Sequence, residues 1–95
     1  MKLEVRHNEA ASRFEATVEG QTSHVDYDLD GTTMRVHHTS VPAALEGRGI
    51  ASQLVQAVFA HAKAAGLRIE PSCSYVKAWT KRHPEVADLL VVAPG

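Results

Sequence analysis

The chain is 95 residues long, with 44% hydrophobic and 22% charged residues and ten basic against eleven acidic side chains. That length predicts one domain over residues 1–95 with no separate substrate domain, and the near-neutral charge argues against general nucleic-acid or anionic-membrane binding. No run of about 18 apolar residues occurs, the charged start Met1-Lys2-Leu3-Glu4-Val5-Arg6 lacks a signal-type apolar region, and a lone cysteine makes no internal disulfide, so the expected location is cytoplasmic.

The first half of the chain alternates with period two. Leu3, Val5 and His7 oppose Glu4 and Arg6, and Phe14, Ala16 and Val18 oppose Arg13, Glu15 and Thr17, which predicts two strands joined by a turn at Asn8–Ala11. A third strand places Ser23, Val25, Tyr27 and Leu29 on one face against His24, Asp26, Asp28 and Asp30. Hairpin signals Glu19-Gly20 and Asp30-Gly31 flank it. A fourth sets Met34, Val36 and His38 against Thr33, Arg35, His37 and Thr39. The period then changes. Ile50, Leu54, Val58, Ala62 and Ala65, widened by Val55 and Phe59, form a broad apolar helix face that Gly66 terminates. Leu67-Arg68-Ile69 reads as a short fifth strand, parallel to the fourth because a helix connects them, with Pro71 closing it. Ser72 is the expected N-cap of a second helix carrying Tyr75, Val76 and Trp79, and Pro84-Glu85 begins a last helical turn. The expected fold is α+β: a four-strand antiparallel meander followed by α-β-α, in a mixed sheet.

Between the fourth strand and the first helix lies Val41-Pro42-Ala43-Ala44-Leu45-Glu46-Gly47-Arg48-Gly49-Ile50-Ala51-Ser52. A helix N-terminus exposes unpaired N–H groups and a positive dipole end, which suits phosphate. Gly47 and Gly49 carry no side chains to hold a pyrophosphate away, and Arg48 adds a cation. The segment is not a Walker loop, since no Gly-Lys-Ser/Thr follows, and it lacks the third glycine of a dinucleotide fingerprint. A glycine turn of this kind is also compatible with a plain strand-to-helix connection.

The whole segment resembles the acetyl-CoA-binding motif of the GNAT superfamily of N-acyltransferases. Gly49-Ile50-Ala51 match the second half of that motif, while Glu46 stands where Arg or Gln is usual. The resemblance extends to a small single-domain subgroup through Val41-Pro42, Glu46-Gly47-Arg48-Gly49-Ile50-Ala51, Pro71-Ser72-Cys73-Ser74-Tyr75-Val76, Trp79 and His83-Pro84-Glu85. It implies that strands four and five splay apart and admit the pantetheine arm of acetyl-CoA, whose amides pair with backbone around His38, Thr39, Ser40 and Val41. It also implies that Glu46, Gly47, Arg48, Gly49, Ile50, Ala51 and Ser52 surround the pyrophosphate.

Three side chains are candidates for chemistry. Cys73 follows the fifth strand at a helix start, where the dipole lowers a thiol pKa; it could protonate the departing CoA thiolate or take the acetyl group covalently, or be a small buried hydrophobe. The family resemblance implies Tyr75 as the rival acid, since larger members often use a tyrosine in this last helix, with packing on the sheet as its plainer role. His38 could accept an amine proton, or be a partly buried strand histidine. His24 and His37 could face each other near Asp26, yet no His-x-x-x-His or Cys-x-x-Cys spacing occurs and no metal is expected. Lys77, Lys81 and Arg82 lie on or near the last helix, within reach of CoA phosphates or as a solvated face.

The function expected from these readings is acetyl-CoA binding and N-acetyl transfer to an amine. In place of an acceptor-binding insertion the chain has only the Asn8–Ala11 turn, and the open surface this leaves suits a protein lysine or terminus. The alternatives are a non-catalytic CoA-binding sensor and a protein-interaction module in which the glycine turn is only a turn.

Overall fold

Period-two alternation makes each strand of the first half bury one face. A computed structural model, which describes residues 3–91, shows those faces sharing one core. The five strands are β1 (Arg6–Asn8), β2 (Arg13–Val18), β3 (Gln21–Asp30), β4 (Thr33–Ser40) and β5 (Arg68–Pro71), lying side by side in chain order. The first four are antiparallel to their neighbours and β5 runs parallel to β4. Helices α1 (Ile50–Ala65) and α2 (Ser74–Lys81) complete the α+β fold, with a short 3-10 turn at Pro84–Leu89. Phe14, Ala16, Val25, Tyr27, Met34, Val36 and Ile69 from the sheet meet Ile50, Leu54, Val55, Val58, Phe59 and Ala62 from α1 and Val76 and Trp79 from α2. Each fully buried Val, Leu or Ile of this set contributes about 1.5–3 kcal/mol of transfer free energy. Ser23 is the one polar side chain buried with them among the described residues, and Leu29, expected on the core face, is 55% exposed.

The turns follow the residues placed in them. Glu19 (φ +52°) and Gly20 (φ +76°) form the two-residue left-handed link that matches strand twist between β2 and β3. The Asn8 side chain accepts from the Ala11 amide to close the single 3-10 turn between β1 and β2. Three element boundaries depart from the sequence pattern. β1 is shorter than expected: Leu3 and Val5 pack against the core, but Leu3 N–H donates to the Gln53 side chain and not to a ladder. Leu67 lies just past the Gly66 cap of α1 and its amide bonds back to the Ala62 carbonyl, so β5 starts at Arg68. The N-cap of α2 is Cys73 and not Ser72, for the amides of Ser72 and Cys73 both donate to the Val36 carbonyl and extend the strand bonding by two residues.

A fourth departure changes a face. The β3–β4 register passes from Asp26↔His38 to Tyr27↔Val36, leaving His37 as an extra, bulged residue. Beyond the bulge the alternation inverts. Thr39 now pairs with the core-facing Val25, while His38 pairs with Asp26 on the opposite face. The expected grouping of His38 with Met34 and Val36 is therefore wrong, and so is the pairing of His24 with His37. The His24 ring lies against His38, at a centroid distance of 5.9 Å.

Candidate functional site

The β4–β5 ladder ends at Val36↔Pro71, whereas β4 continues to Ser40. The Val36 carbonyl takes the Ser72 and Cys73 amides at 2.9 and 3.1 Å, and there the chain leaves the sheet to begin α2. The last residues of β4 thus keep β3 on one side and, among the described residues, have no strand on the other. A cleft of about 660 Å³ opens at this place. Thr39 and Ser40 from the end of β4 and Val41 just after it line it, with Leu45, Glu46, Gly47, Gly49, Ile50, Ala51 and Ser52 from the turn and the start of α1, Tyr75 from α2 and Arg82 at its C-cap.

The turn is built by two left-handed glycines. Gly47 has φ +81° and Gly49, the N-cap of α1, has φ +77°. A Cβ at either would meet nothing within 4 Å, so what these positions demand is backbone conformation and not room within the protein. Gly49 has no side chain to cap the helix, and the first amides of α1, beginning at Ile50, stay free of intrahelical partners beside the cleft. At the far end of this helix terminus, Ser52 Oγ accepts a 3.0 Å bond from Trp79 Nε1. Trp79 in turn stacks on Phe59 and on His83, which joins the two helices behind the cleft.

Cys73 does not line the cleft but stands at the closed end of the β4–β5 gap. Its Sγ lies 3.5 Å from Thr39 Oγ1, so the bulge at His37 is what turns a hydroxyl toward it. Burial pushes the thiol pKa up, but the Thr39 hydroxyl and the nearby backbone N–H groups of Val76, Tyr75 and Thr39 outweigh burial and hold it below its ordinary value. Tyr75 lies in the cleft wall, partly buried.

Of the residues expected around the pantetheine arm and the pyrophosphate, Thr39, Ser40, Val41, Glu46, Gly47, Gly49, Ile50, Ala51 and Ser52 come together at the cleft. Arg48 and His38 do not. The guanidinium of Arg48 pairs with the Glu19 carboxylate, which the β2–β3 turn carries to it. His38 is directed to the other face by the bulge. Arg82 is the guanidinium that does reach the cleft. It follows the last turn of α2, and helical spacing from Tyr75 was the available sign that both share one side. Among the described residues no group of three His, Cys, Asp or Glu side chains is arranged to hold a metal, and no helix is long and apolar enough to cross a membrane.

This geometry has counterparts. A family model described as GCN5-related N-acetyl-transferase matches residues 13–89. Among solved structures, the NMR solution structure of a GCN5-like protein from Staphylococcus aureus is similar to the chain. The two are 26% identical, the match covers 97% of this chain and 91% of that one, and the TM-score is 0.75.

Proposed function

The chain belongs to the GCN5-related N-acetyltransferase family, and from that premise we propose that it binds acetyl-CoA in the cleft and moves the acetyl group to an amine. The observation that carries this reading is the gap between β4 and β5 opening beside a glycine-built helix terminus. The pyrophosphate sits on the amides that begin α1, where the helix dipole favours negative charge, and Arg82 supplies the cation. Glu46 stays toward solvent at the rim. The pantetheine amides pair with the open edge of β4 at Thr39, Ser40 and Val41, as a short added strand does. The edge amides also serve the carbonyl oxygen of the thioester as negative charge develops on it. Cys73, with its thiol pKa lowered by the hydrogen bonds around it, gives a proton to the leaving thiolate. Tyr75, which lines the cleft itself, is the other candidate acid. No large insertion separates β1 from β2, so the sheet face opposite the helices stays open, which suits an amine carried on a protein.

The test is thermal unfolding with millimolar acetyl-CoA, CoA or ATP. A ligand present at 100 times its dissociation constant adds about 2.7 kcal/mol. A rise in Tm with acetyl-CoA and CoA but not with ATP supports the cleft assignment; no rise with either thioester or thiol refutes it. Acetylation of a lysine-bearing peptide library, read by mass, separates a transferase from a module that only binds CoA.

A further inference from the structure

The helices cover only one face of the sheet. On the other, β2, β3 and β4 present Arg13, Glu15, His24, Asp26, Asp28, Arg35, His37 and His38, and no described helix lies over them. Within this face one pair is ordered for proton chemistry. His24 Nδ1 lies 2.9 Å from Asp26 Oδ1, and Arg13 Nε approaches the same oxygen at 3.2 Å, with all three side chains no more than about a third exposed. The carboxylate accepts from Nδ1–H, so the imidazole lone pair is on Nε2. His24 is opposite Ser40, which lines the cleft, and its ring neighbours that of His38. The pair does not line the cleft itself but sits one cross-strand neighbour from it, on the uncovered face.

Resting on the reading of the cleft as the acetyl-donor site, we propose that His24, its ring oriented by Asp26, takes the proton from the acceptor amine as that amine arrives over the uncovered face. In the step, the nitrogen–carbon bond forms and the carbon–sulfur bond breaks. One proton passes from nitrogen to His24 Nε2, and one passes from the Cys73 thiol to the CoA thiolate. Solvent then carries the proton from the imidazolium back to Cys73, so the sum is amine plus acetyl-CoA to amide plus CoA. Asp26 stabilises the imidazolium and keeps the tautomer, with Arg13 holding the carboxylate in place. The other charged or titratable groups facing His24 are Glu15, directly across on β2 and paired with Arg6, and His38 on β4.

The experiment measures kcat/KM for acetylation of a lysine-bearing peptide library from pH 5.5 to 9, beside acetyl-CoA thermal shifts, for wild type, His24→Gln and Asp26→Asn. General-base loss of this kind is about 100-fold or more near neutrality. His24→Gln is expected to keep the acetyl-CoA shift, lose that activity at pH 7, and rise steeply with pH where wild type has levelled. Asp26→Asn is expected to lose about tenfold or more with the shift intact, since its amide no longer stabilises an imidazolium. Unchanged kcat/KM and pH profile in His24→Gln overturn the proposal and leave the cleft reading standing. So does wild type that binds acetyl-CoA and acetylates no peptide. Absence of any acetyl-CoA shift in wild type refutes the cleft reading itself, and this proposal with it.

Discussion

Gly49→Ala separates the two roles of the glycine turn. The residue has φ +77°, and its added Cβ meets nothing within 4 Å, so the folded protein has no clash to relieve. The cost is the backbone's own, about 1–2 kcal/mol for an L residue held in the left-handed region. For a domain of this size, each kcal/mol lowers Tm by about 4–8 °C, so a fall of about 4–16 °C is expected. Gly66→Ala is the matched control, because Gly66 has φ +71° with equally open surroundings but caps the opposite end of α1. Both variants should lose comparable stability. They should differ with ligand. Saturating acetyl-CoA at 100 times its dissociation constant corresponds to roughly 10–20 °C in wild type, and Gly66→Ala should retain that rise. Gly49→Ala should lose half of it or more if the amides beginning α1 receive the phosphate as proposed, because the added methyl group lies next to them. Circular dichroism melts of the three proteins, with and without acetyl-CoA, decide the matter. A full ligand response in Gly49→Ala refutes the cradle, and an unchanged Tm in both variants refutes the conformational argument.

Glu19→Gln should release Arg48 toward the cleft and tighten CoA binding in calorimetry. The pair is largely exposed, so Tm should move by no more than about 1 kcal/mol equivalent. Trp79 is the one tryptophan of the chain and donates to Ser52 in the cleft wall, so its fluorescence should change on titration with CoA; Trp79→Phe should abolish the signal and cost about 1–3 kcal/mol in denaturant unfolding. His7 stacks on Phe14, bonds the Tyr27 hydroxyl at 2.6 Å and abuts His61. Burial chiefly, and then His61, lower its pKa from 6.5, against an opposing pull from Glu9. The unfolded chain consequently binds the proton first, so this contribution is fully present above about pH 6.5 and is lost as pH falls toward the lower folded value. Tm should decline between pH 7 and 5, and His7→Gln should flatten that decline.

Much of the fold was legible because each strand and α1 bury a periodic face. Val25 and Tyr27 on β3, and Leu54, Val58 and Ala62 on α1, lie in the core where their spacing puts them. The glycine turn and most of its cleft-lining neighbours were legible for a related reason, since left-handed backbone needs glycine. What escaped depended on bonds between distant residues. The bulge at His37 is marked by no glycine or proline, and it alone exchanges His38 for Thr39 on the face toward Cys73. Arg48 carries a charge suited to phosphate, but Glu19, 29 positions earlier, holds it elsewhere. The cap of α2 moved by one residue because Val36 offers its carbonyl to two successive amides.

That carbonyl has a wider consequence. The point where the chain leaves β4 is marked by one backbone oxygen receiving two backbone amides, groups that every amino acid except proline can supply. Side chains around the opening can therefore drift during evolution while the opening itself persists. A lineage built on this arrangement can exchange its acids, bases and acceptor contacts without rebuilding the place where they act. Residue 36 is constrained to be apolar for the core, and its oxygen serves the opening whichever apolar residue is chosen.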